Sequence, residues 1–460
     1  MRILVKADGR VEILLGSQRE PLCDANGRWQ VKLSQYAYLS ENAYVLFHEL
    51  TREMVSLTKE EWEELDDFRN GENEEKDVTP LMQQLFSHHF LVASTRNELK
   101  YYQQLMGLIE IAFPVKKGIY TYTILPTTAC NARCVYCYEE GIHALTMKQD
   151  TIDQLIRYIL ETRGNGRIHL NWFGGEPLVG SGMIRQVCEA LAREKVPFDS
   201  AMVSNGALFT PELVREARER WHMNRIQISL DGEKADYLQR KRYYQSWEGK
   251  EQTDPYETVL TNVAALVKMG ILVSLRCNCD WDNLSGINAF IEDLERRFSP
   301  WPKQLSVYFA PLNQESEADR FPALHEKLIG FTALCRKKGF QTGIQGFGYK
   351  LRLRHCMADS LANQRLIDPS GRLYDCEHMP ESRSYGDIWH DVTDPELVKS
   401  LCDHREVREK CRDCVFLPEC TPYTKCPIEV NSCREINVQR LENIIREKLE
   451  GIGYKEAQPC

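Results

Sequence analysis

The chain has 460 residues, of which 43% are hydrophobic and 27% are charged, and these values are typical of a globular protein with roughly two or three domains. A formal charge of −9 at pH 7 excludes the basic surface that nucleic-acid binding needs, so we expect no DNA or RNA partner. The sequence also lacks an apolar run long enough to cross a membrane and lacks an N-terminal secretory signal, which predicts a cytoplasmic protein with no membrane partner.

Residues 1–95 predict a small α+β domain. Short apolar runs indicate strands, and apolar residues at helical spacing indicate helices. The expected elements are strands at Arg2–Val5, Val11–Leu15 and Trp29–Leu33, helices at Thr58–Phe68 and Thr79–Phe86, and the apolar run Phe90–Ala93. A long helix at about Arg96–Glu110 is expected to form a linker within residues 96–115.

Residues 116–345 predict an α/β domain, because short apolar runs alternate with amphipathic stretches. The six expected strands are Tyr120–Leu125, Ile168–Phe173, Ala201–Ser204, Arg225–Leu230, Leu272–Cys277 and Leu305–Ala310. Such β/α units can curl into a partial TIM-like (β/α)6 barrel. The functional residues of such a barrel lie at the carboxyl ends of its strands.

Residues 346–435 predict a loop-rich domain that is held together by metal, since periodicity weakens while cysteine, proline and turn residues become frequent. A helix over Glu435–Leu449 is expected in the C-terminal segment 436–460. The chain has 17 cysteines, and in a reducing cytoplasm clustered thiols bind metal more often than they form disulfides.

Cys130, Cys134 and Cys137 form a C-x3-C-x2-C motif directly after the first barrel strand. Three thiolates on one short loop can hold three irons of a 4Fe–4S cluster and leave the fourth iron open for chemistry. The residues alone also allow a zinc site with a fourth ligand elsewhere in the chain.

This loop, with the aromatic Tyr136 before its last cysteine, resembles the signature of the radical S-adenosylmethionine (SAM) superfamily. The resemblance implies that SAM chelates the open iron, and that an electron from the cluster cleaves SAM to methionine and a 5′-deoxyadenosyl radical. It also assigns Gly174, Gly175 and Glu176 to the methionyl ammonium of SAM, the glycines by close backbone approach and the glutamate by its charge. A tight turn before a helix is the alternative for this motif.

Further polar residues follow the other predicted strands. The resemblance implies that they contact the ribose and carboxylate of SAM, with Ser229 as the preferred candidate, whereas ordinary loop capping is the alternative. The candidates are Ser204, Asn205, Ser229, Asp231, Arg276 and Asn278. Relatives also place a basic residue shortly after such a serine, where it pairs with the SAM carboxylate. Arg240, Lys241 and Arg242 cover that position, and a solvated basic loop is the alternative.

The cysteines after residue 350 resemble the SPASM extension of radical SAM enzymes that modify peptides and proteins. The resemblance implies two auxiliary 4Fe–4S clusters, so that the cofactors would be SAM and three clusters. It assigns Cys356, Cys376 and Cys426 to auxiliary cluster I and Cys411, Cys414, Cys420 and Cys433 to auxiliary cluster II. Cluster I has either an open iron or Cys402 as its fourth ligand, and a zinc ribbon is the alternative for the segment.

These resemblances imply a radical SAM maturase that forms thioether or carbon–carbon crosslinks in a ribosomally synthesised precursor peptide, like sactipeptide- and ranthipeptide-forming enzymes. Residues 1–95 resemble, in their order of elements, the small winged-helix unit that binds a leader peptide, and a stabilising cap over the barrel is the alternative for this unit. The family resemblance also implies an electron donor such as flavodoxin or ferredoxin. One alternative is an anaerobic sulfatase-maturing enzyme that oxidises Cys or Ser to formylglycine, in which Glu377 would replace the usual catalytic Asp. The other alternative is a non-catalytic, zinc-stabilised binding protein.

Overall fold

The computed structural model describes residues 2–5, 10–18, 20–71, 78–112, 117–137, 141, 143–243, 254–312, 320–342, 351–352, 361–377, 383–401, 407–418 and 433–451. The chain forms two compact units. The first unit comprises Met1–Val115, Gly346–Asp359 and Asp403–Cys460, and the second comprises Lys116–Gln345 and Ser360–Cys402. The cysteine-rich segment that was predicted as one domain, residues 346–435, therefore contributes to both units.

Strands and helices are numbered along the chain. The strands are β1 (Arg2–Val5), β2 (Arg10–Leu14), β3 (Val31–Leu33), β4 (Ala37–Ser40), β5 (Val45–His48), β6 (Met54–Ser56), β7 (Leu91–Ala93), β8 (Thr121–Ile124), β9 (Ala132–Cys134), β10 (Ile168–Trp172), β11 (Phe198–Ser204), β12 (Met223–Ser229), β13 (Lys241–Tyr243), β14 (Leu272–Cys279), β15 (Leu305–Pro311), β16 (Leu351–Arg352), β17 (Gln364–Ile367), β18 (Arg372–Tyr374), β19 (Gly386–Asp387) and β20 (Asp391–Val392). The helices are α1 (Lys59–Asn70), α2 (Pro80–Ser87), α3 (Glu98–Ala112), α4 (Gln149–Thr162), α5 (Ser181–Arg193), α6 (Pro211–Glu219), α7 (Lys234–Arg240), α8 (Pro255–Lys268), α9 (Ile287–Phe298), α10 (Phe321–Lys337), α11 (Pro395–Leu401) and α12 (Cys433–Gly451).

The first unit contains small antiparallel sheets, namely β1-β2-β16, β3-β7 and β4-β5-β6. Helix α1 begins at a capping box, in which the Thr58 side chain accepts from the Glu61 amide and the Glu61 side chain accepts from the Thr58 amide. Helix α2 begins at Thr79, with Pro80 as its first residue. Both helices start where the sequence predicts, whereas the hairpins of β4, β5 and β6 were not predicted.

The C-terminal helix of the first unit shares a hydrophobic core with its N-terminal strands. Val45 and Phe47 of β5 pack in one cluster with Phe416 and with Leu441 and Ile445 of α12. The Ser40 hydroxyl also donates to Glu442 on α12, at 2.8 Å. Burial of these apolar side chains stabilises the first unit through contacts between residues that are about 400 positions apart in sequence.

The second unit is built on a sheet with the strand order β15-β14-β12-β11-β10-β8-β17-β18-β19-β20. The strands from β15 to β17 in this order are parallel, and the remaining pairings are antiparallel. All six predicted barrel strands are present, and helices α4, α5, α6, α8 and α9 connect them. The predicted α/β fold with a partial (β/α)6 barrel is therefore confirmed. Strand β17 was not predicted, and it pairs with the edge of β8 that does not pair with β10.

No helix in the described part of the chain is long and apolar enough to cross a membrane.

Candidate functional site at the carboxyl edge of the parallel sheet

Most of the predicted site residues of the second unit meet at one edge of the parallel sheet, called the carboxyl edge below. The cysteine loop Cys130–Cys137 follows β8, and the Gly174–Glu176 motif follows β10. Ser204 and Ser229 are the last residues of β11 and β12. Because parallel strands all end at the same edge, residues from separate parts of the sequence lie together there.

The cysteine loop is fixed by a short two-stranded ribbon. Strand β9, which ends at Cys134, pairs antiparallel with β13, and Lys241 is directly opposite Cys134. The three thiols of Cys130, Cys134 and Cys137 are partly buried. Burial raises the pKa of the Cys130 thiol to about 11. The pairing of β9 with β13 fixes the backbone of Cys134, the middle cysteine of the motif.

A buried charge network lies beside this loop. The Lys241 ammonium lies 3.9 Å from the Cys134 sulfur and 3.8 Å from a carboxylate oxygen of Asp231, which is fully buried. Burial lowers the pKa of Lys241, but Asp231, Tyr136 and Cys134 outweigh burial and raise it well above its usual value. The Tyr136 hydroxyl donates to Asp231, and the Asn278 side chain donates to Asp231 at 2.9 Å and to the Tyr136 oxygen at 3.1 Å. Asp231, Tyr136, Lys241 and Asn278 therefore form one network.

Glu176 joins the ends of neighbouring strands. Its buried carboxylate accepts from the Ser204 hydroxyl at 2.8 Å and from the Asn205 amide at 2.7 Å. The Asn205 side chain donates in turn to Asn131 inside the cysteine loop, at 2.6 Å. Burial raises the pKa of Glu176 in spite of these hydrogen bonds. In this structure Glu176 therefore orders the carboxyl edge, and its predicted contact with SAM stays a prediction.

The two glycines of the motif pack against the chain that leads into the cysteine loop. A Cβ atom on Gly174, whose φ is +111°, would lie 2.4 Å from the Thr127 carbonyl oxygen. A Cβ atom on Gly175 would lie 2.4 Å from the Thr128 oxygen and 2.6 Å from the Ala129 oxygen. Glycine is therefore required at both positions by the close approach of two backbones.

The structure distinguishes the three consecutive basic residues where α7 ends and β13 begins. Arg240 forms a bidentate ion pair with Asp280, whereas Arg242 is exposed to solvent. The buried Lys241 faces the cysteine loop. Ser229 is partly exposed at the end of β12, opposite Arg276 of β14.

The residue types at the carboxyl edge fit an iron–sulfur cluster. Three thiols on one loop, with a buried cation beside the middle one, are the donor set and the compensating charge that a thiolate-bound cluster requires. Among the described residues, no three side chains of His, Cys, Asp or Glu are already arranged so that they could coordinate one metal ion, and this includes the three cysteines of the loop. Cys130, Cys134 and Cys137 stay the predicted ligands, and they lie on one backbone segment.

The predicted auxiliary cysteines are distributed over both units. In the second unit Cys376 is buried, and its thiol donates to the adjacent Glu377 carboxylate at 3.6 Å. In the first unit, burial raises the pKa values of Cys411 and Cys414, and the nearby Cys433 raises them further. The remaining predicted ligands, Cys356, Cys402, Cys420 and Cys426, lie outside the described residues.

Sequence reasoning missed several residues of the carboxyl edge. Asn283 is fully buried and donates to the backbone oxygens of Asp231 and Asn278, at 3.3 Å and 2.9 Å. Asp280 pairs with Arg240, and Asn131 accepts from Asn205. Their positions in the sequence could have identified them as site residues. Asp280 and Asn283 follow the carboxyl end of β14, and Asn131 lies inside the cysteine motif.

Comparisons with known proteins agree with this geometry. Residues 124–278 match the family model described as Radical SAM superfamily. The chain is 24% identical over 158 residues to the radical SAM cyclopropyl synthase TigE of Paramaledivibacter caminithermalis, and the alignment covers 30% of this chain and 33% of TigE. It is 36% identical over 108 residues to GTP 3′,8-cyclase 1 of Pseudomonas aeruginosa, over 23% of this chain and 31% of that protein. The matches thus span about a third of the length of these relatives.

Solved structures also share the fold. Native anSMEcpe with bound AdoMet and Cp18Cys peptide superposes with a TM-score of 0.55 at 12% sequence identity, over 72% of this chain and 99% of that chain. At this identity the likeness concerns the fold.

Proposed function

We propose that this chain, which belongs to the radical SAM superfamily through residues 124–278, cleaves SAM and abstracts a hydrogen atom from a residue of a ribosomally synthesised peptide. The observation that carries the proposal is the cysteine loop Cys130–Cys137, fixed at the carboxyl edge by the pairing of Cys134 with Lys241. When bound there, the cluster and SAM would supply an electron and a 5′-deoxyadenosyl radical able to break an unactivated C–H bond.

The residues around the loop have separate tasks in this proposal. Cys130, Cys134 and Cys137 hold the cluster, and Ser229 and Asn205 lie at strand ends where they can bind the polar groups of SAM. Lys241 places a positive charge beside the thiolates. Gly174 and Gly175 let the neighbouring backbone lie close to the cysteine loop.

The proposed product is a thioether or carbon–carbon crosslink. Its formation removes two hydrogen atoms from the peptide, the first as an atom taken by the 5′-deoxyadenosyl radical, and the second as a proton and an electron that pass to an acceptor. Cys376 in the second unit and Cys411, Cys414 and Cys433 in the first unit are the candidate ligands of the auxiliary clusters that could take this electron. The bound peptide in the anSMEcpe structure supports a peptide substrate, and we propose a precursor leader bound by residues 1–95 and a flavodoxin or ferredoxin as reductant.

The first experiment is anaerobic purification of the full chain, with a visible spectrum, an iron count, and an assay for 5′-deoxyadenosine after addition of SAM and dithionite. The wild-type protein should be brown and should produce 5′-deoxyadenosine. Cys134→Ala should abolish this production, whereas Cys23→Ala, which changes a partly buried cysteine outside the predicted clusters, should not. A colourless wild-type protein that contains zinc would overturn the proposal in favour of a non-catalytic binding protein.

The second experiment identifies the product. Peptides encoded by small neighbouring reading frames are incubated with the active protein and analysed by tandem mass spectrometry. Loss of two hydrogens with a new bond between residues supports the crosslink. Conversion of one Cys or Ser to formylglycine supports the sulfatase-maturing alternative, for which the contact between Cys376 and Glu377 is the relevant observation.

A further inference from the structure

Strand β14 presents a polar face at the candidate site. Along this strand the buried apolar residues Val273, Leu275 and Cys277 alternate with Ser274, Arg276 and Asn278, as expected for a strand with one face in the core. Asn278 belongs to the network of Asp231 and Tyr136 beside the cysteine loop. Arg276 therefore lies on the same face of the strand as the candidate site and one layer further from the carboxyl edge.

A neutral group holds the Arg276 guanidinium. Its Nε donates to the Asn278 side-chain oxygen at 2.9 Å. Its positive charge also acts on Tyr308, where it opposes the rise in pKa that burial causes, and the Tyr308 hydroxyl donates to Gln227 at 2.6 Å. Arg276 is opposite both Ser229 and Tyr308 in the register of the sheet. The guanidinium is thus oriented by Asn278 of the same strand, on a backbone position held between β12 and β15.

The charge of Arg276 differs from that of its basic neighbours. Lys241 is paired with Asp231, and Arg240 is paired with Asp280. Among the described residues, no carboxylate lies within 4.0 Å of Arg276. The residue is only partly exposed, so the positive charge is partly removed from water, and the described part of the chain supplies no counter-ion for it. An arginine that is oriented in this way, with remaining N–H donors, is suited to bind a carboxylate from outside the chain.

We propose that Arg276 binds a carboxylate of the substrate peptide, on an Asp or Glu side chain or at the C-terminus, and thereby selects peptides with an acidic group close to the modified residue. The inference rests on the proposed function and names the class of its substrate. Arg276 is a specificity residue in this view. Ser229 and Lys241 remain the candidates for the carboxylate of SAM, so that the two carboxylates would be bound by different residues.

The test is an affinity selection from a random peptide library with the full, anaerobically reconstituted protein in the presence of SAM. Peptides bound by the wild-type protein should be enriched in Asp or Glu at one position, or should require a free C-terminal carboxylate that amidation removes. Changing that Asp to Asn in the best peptide should weaken binding about tenfold or more, measured by fluorescence anisotropy, because the change removes a charge-assisted hydrogen bond.

Variants of Arg276 should abolish or reverse the preference for an acidic peptide. Arg276→Met should bind the acidic peptide and its Asn counterpart equally, and Arg276→Glu should select Lys or Arg at the same position. Arg296→Met removes a positive charge from the exposed surface of α9 and should leave the selection unchanged. Should Arg276→Met fail to fold, Arg276→Gln takes its place, and a wild-type protein that does not distinguish the Asp peptide from the Asn peptide overturns the inference without any variant.

Three outcomes would overturn the inference. The first is a wild-type protein that binds and modifies peptides without an acidic preference. The second is an acidic preference that Arg276→Met leaves intact. The third is a tenfold loss of SAM affinity in Arg276→Met with no change in peptide preference, which would assign Arg276 to SAM. A wild-type protein that produces no 5′-deoxyadenosine contradicts the proposed function instead, and equilibrium dialysis with SAM separates the two failures.

Discussion

Lys241 and Cys134 face each other across an antiparallel ribbon, with the ammonium 3.9 Å from the sulfur. A single backbone pairing therefore sets both the position of the middle cysteine and the position of a buried positive charge. Hydrogen bonds and positive charge next to a thiolate ligand stabilise the more negative, reduced form of an iron–sulfur cluster.

Replacing Lys241 by Met should lower the reduction potential of the cluster that we propose for Cys130, Cys134 and Cys137. At a fixed solution potential near the midpoint we expect the ratio of reduced to oxidised cluster to fall about tenfold, since one charge-assisted hydrogen bond is lost. A redox titration followed by EPR measures this ratio. The control is Arg242→Met, which removes an equal charge from the exposed neighbouring position of β13. Equal potentials in the two variants would contradict the role of Lys241.

Gly175→Ala should disturb the chain that leads into the cysteine loop. The new Cβ would lie 2.4 Å from one backbone oxygen and 2.6 Å from another, so the two backbones must separate. We expect a cost of about 1–3 kcal/mol and reduced cluster occupancy. Gly182→Ala is the matched control, because its Cβ would meet no atom within 4 Å and alanine favours the helix α5 by up to about 1 kcal/mol. Thermal unfolding and iron content measure both effects, and an unaffected Gly175→Ala protein would refute the close approach.

The first unit should lose stability in acid because of His48. The buried His48 Nδ1 accepts from the Leu50 amide at 3.3 Å and the Thr51 amide at 3.2 Å, so the ring is neutral in the folded protein. Burial lowers the pKa of His48 from 6.5 to about 3. The unfolded chain therefore takes up this proton first, and stability falls as the pH drops from 6.5 toward 3, by roughly 1.4 kcal/mol per pH unit.

His48→Gln should remove this part of the pH dependence. Urea-dependent hydrogen exchange of the β5 amides reports on the first unit and can be compared between the wild-type protein and the variant at several pH values. Parallel curves for the two proteins would show that His48 does not carry the effect.

Phe47→Ala should release iron from the predicted site of Cys411, Cys414 and Cys433. Phe47 packs in the same core cluster as Phe416, which is two residues after Cys414. Truncation of a buried Phe costs about 3–5 kcal/mol and should loosen this cluster. Phe86→Ala makes the same change in a different core cluster of the first unit and should retain more of the auxiliary iron. Equal iron loss in both variants would show that the effect is general unfolding.

The barrel strands and the cysteine loop could be predicted from sequence because each is encoded locally, by an apolar run or by a short motif. Strand β17 could not, since its central Arg365 argues against a buried strand. In the structure Arg365 is satisfied by the Tyr158 hydroxyl at 2.9 Å and by Asp391 at 3.3 Å. No local pattern reveals these partners.

The same limit applies inside the candidate site. The sequence presents Arg240, Lys241 and Arg242 as equivalent basic residues. The choice among them follows from Asp280, which neutralises Arg240, and from the register that turns Lys241 toward Cys134. The Arg240–Asp280 pair and the Lys241–Cys134 pair each join residues that are separated along the chain by at least one helix and one strand.

The pairing of β17 with β8 has a consequence for how the barrel can be isolated. An unpaired β8 would present a row of free amide and carbonyl groups, and such edges recruit strands from other molecules. With β17 in place, the sheet continues to the short strands β19 and β20, whose few residues offer little for a foreign strand to extend. A fragment that stops at residue 345 would contain every predicted barrel strand and yet be prone to aggregate. Inclusion of Ser360–Cys402 should keep the isolated barrel monomeric.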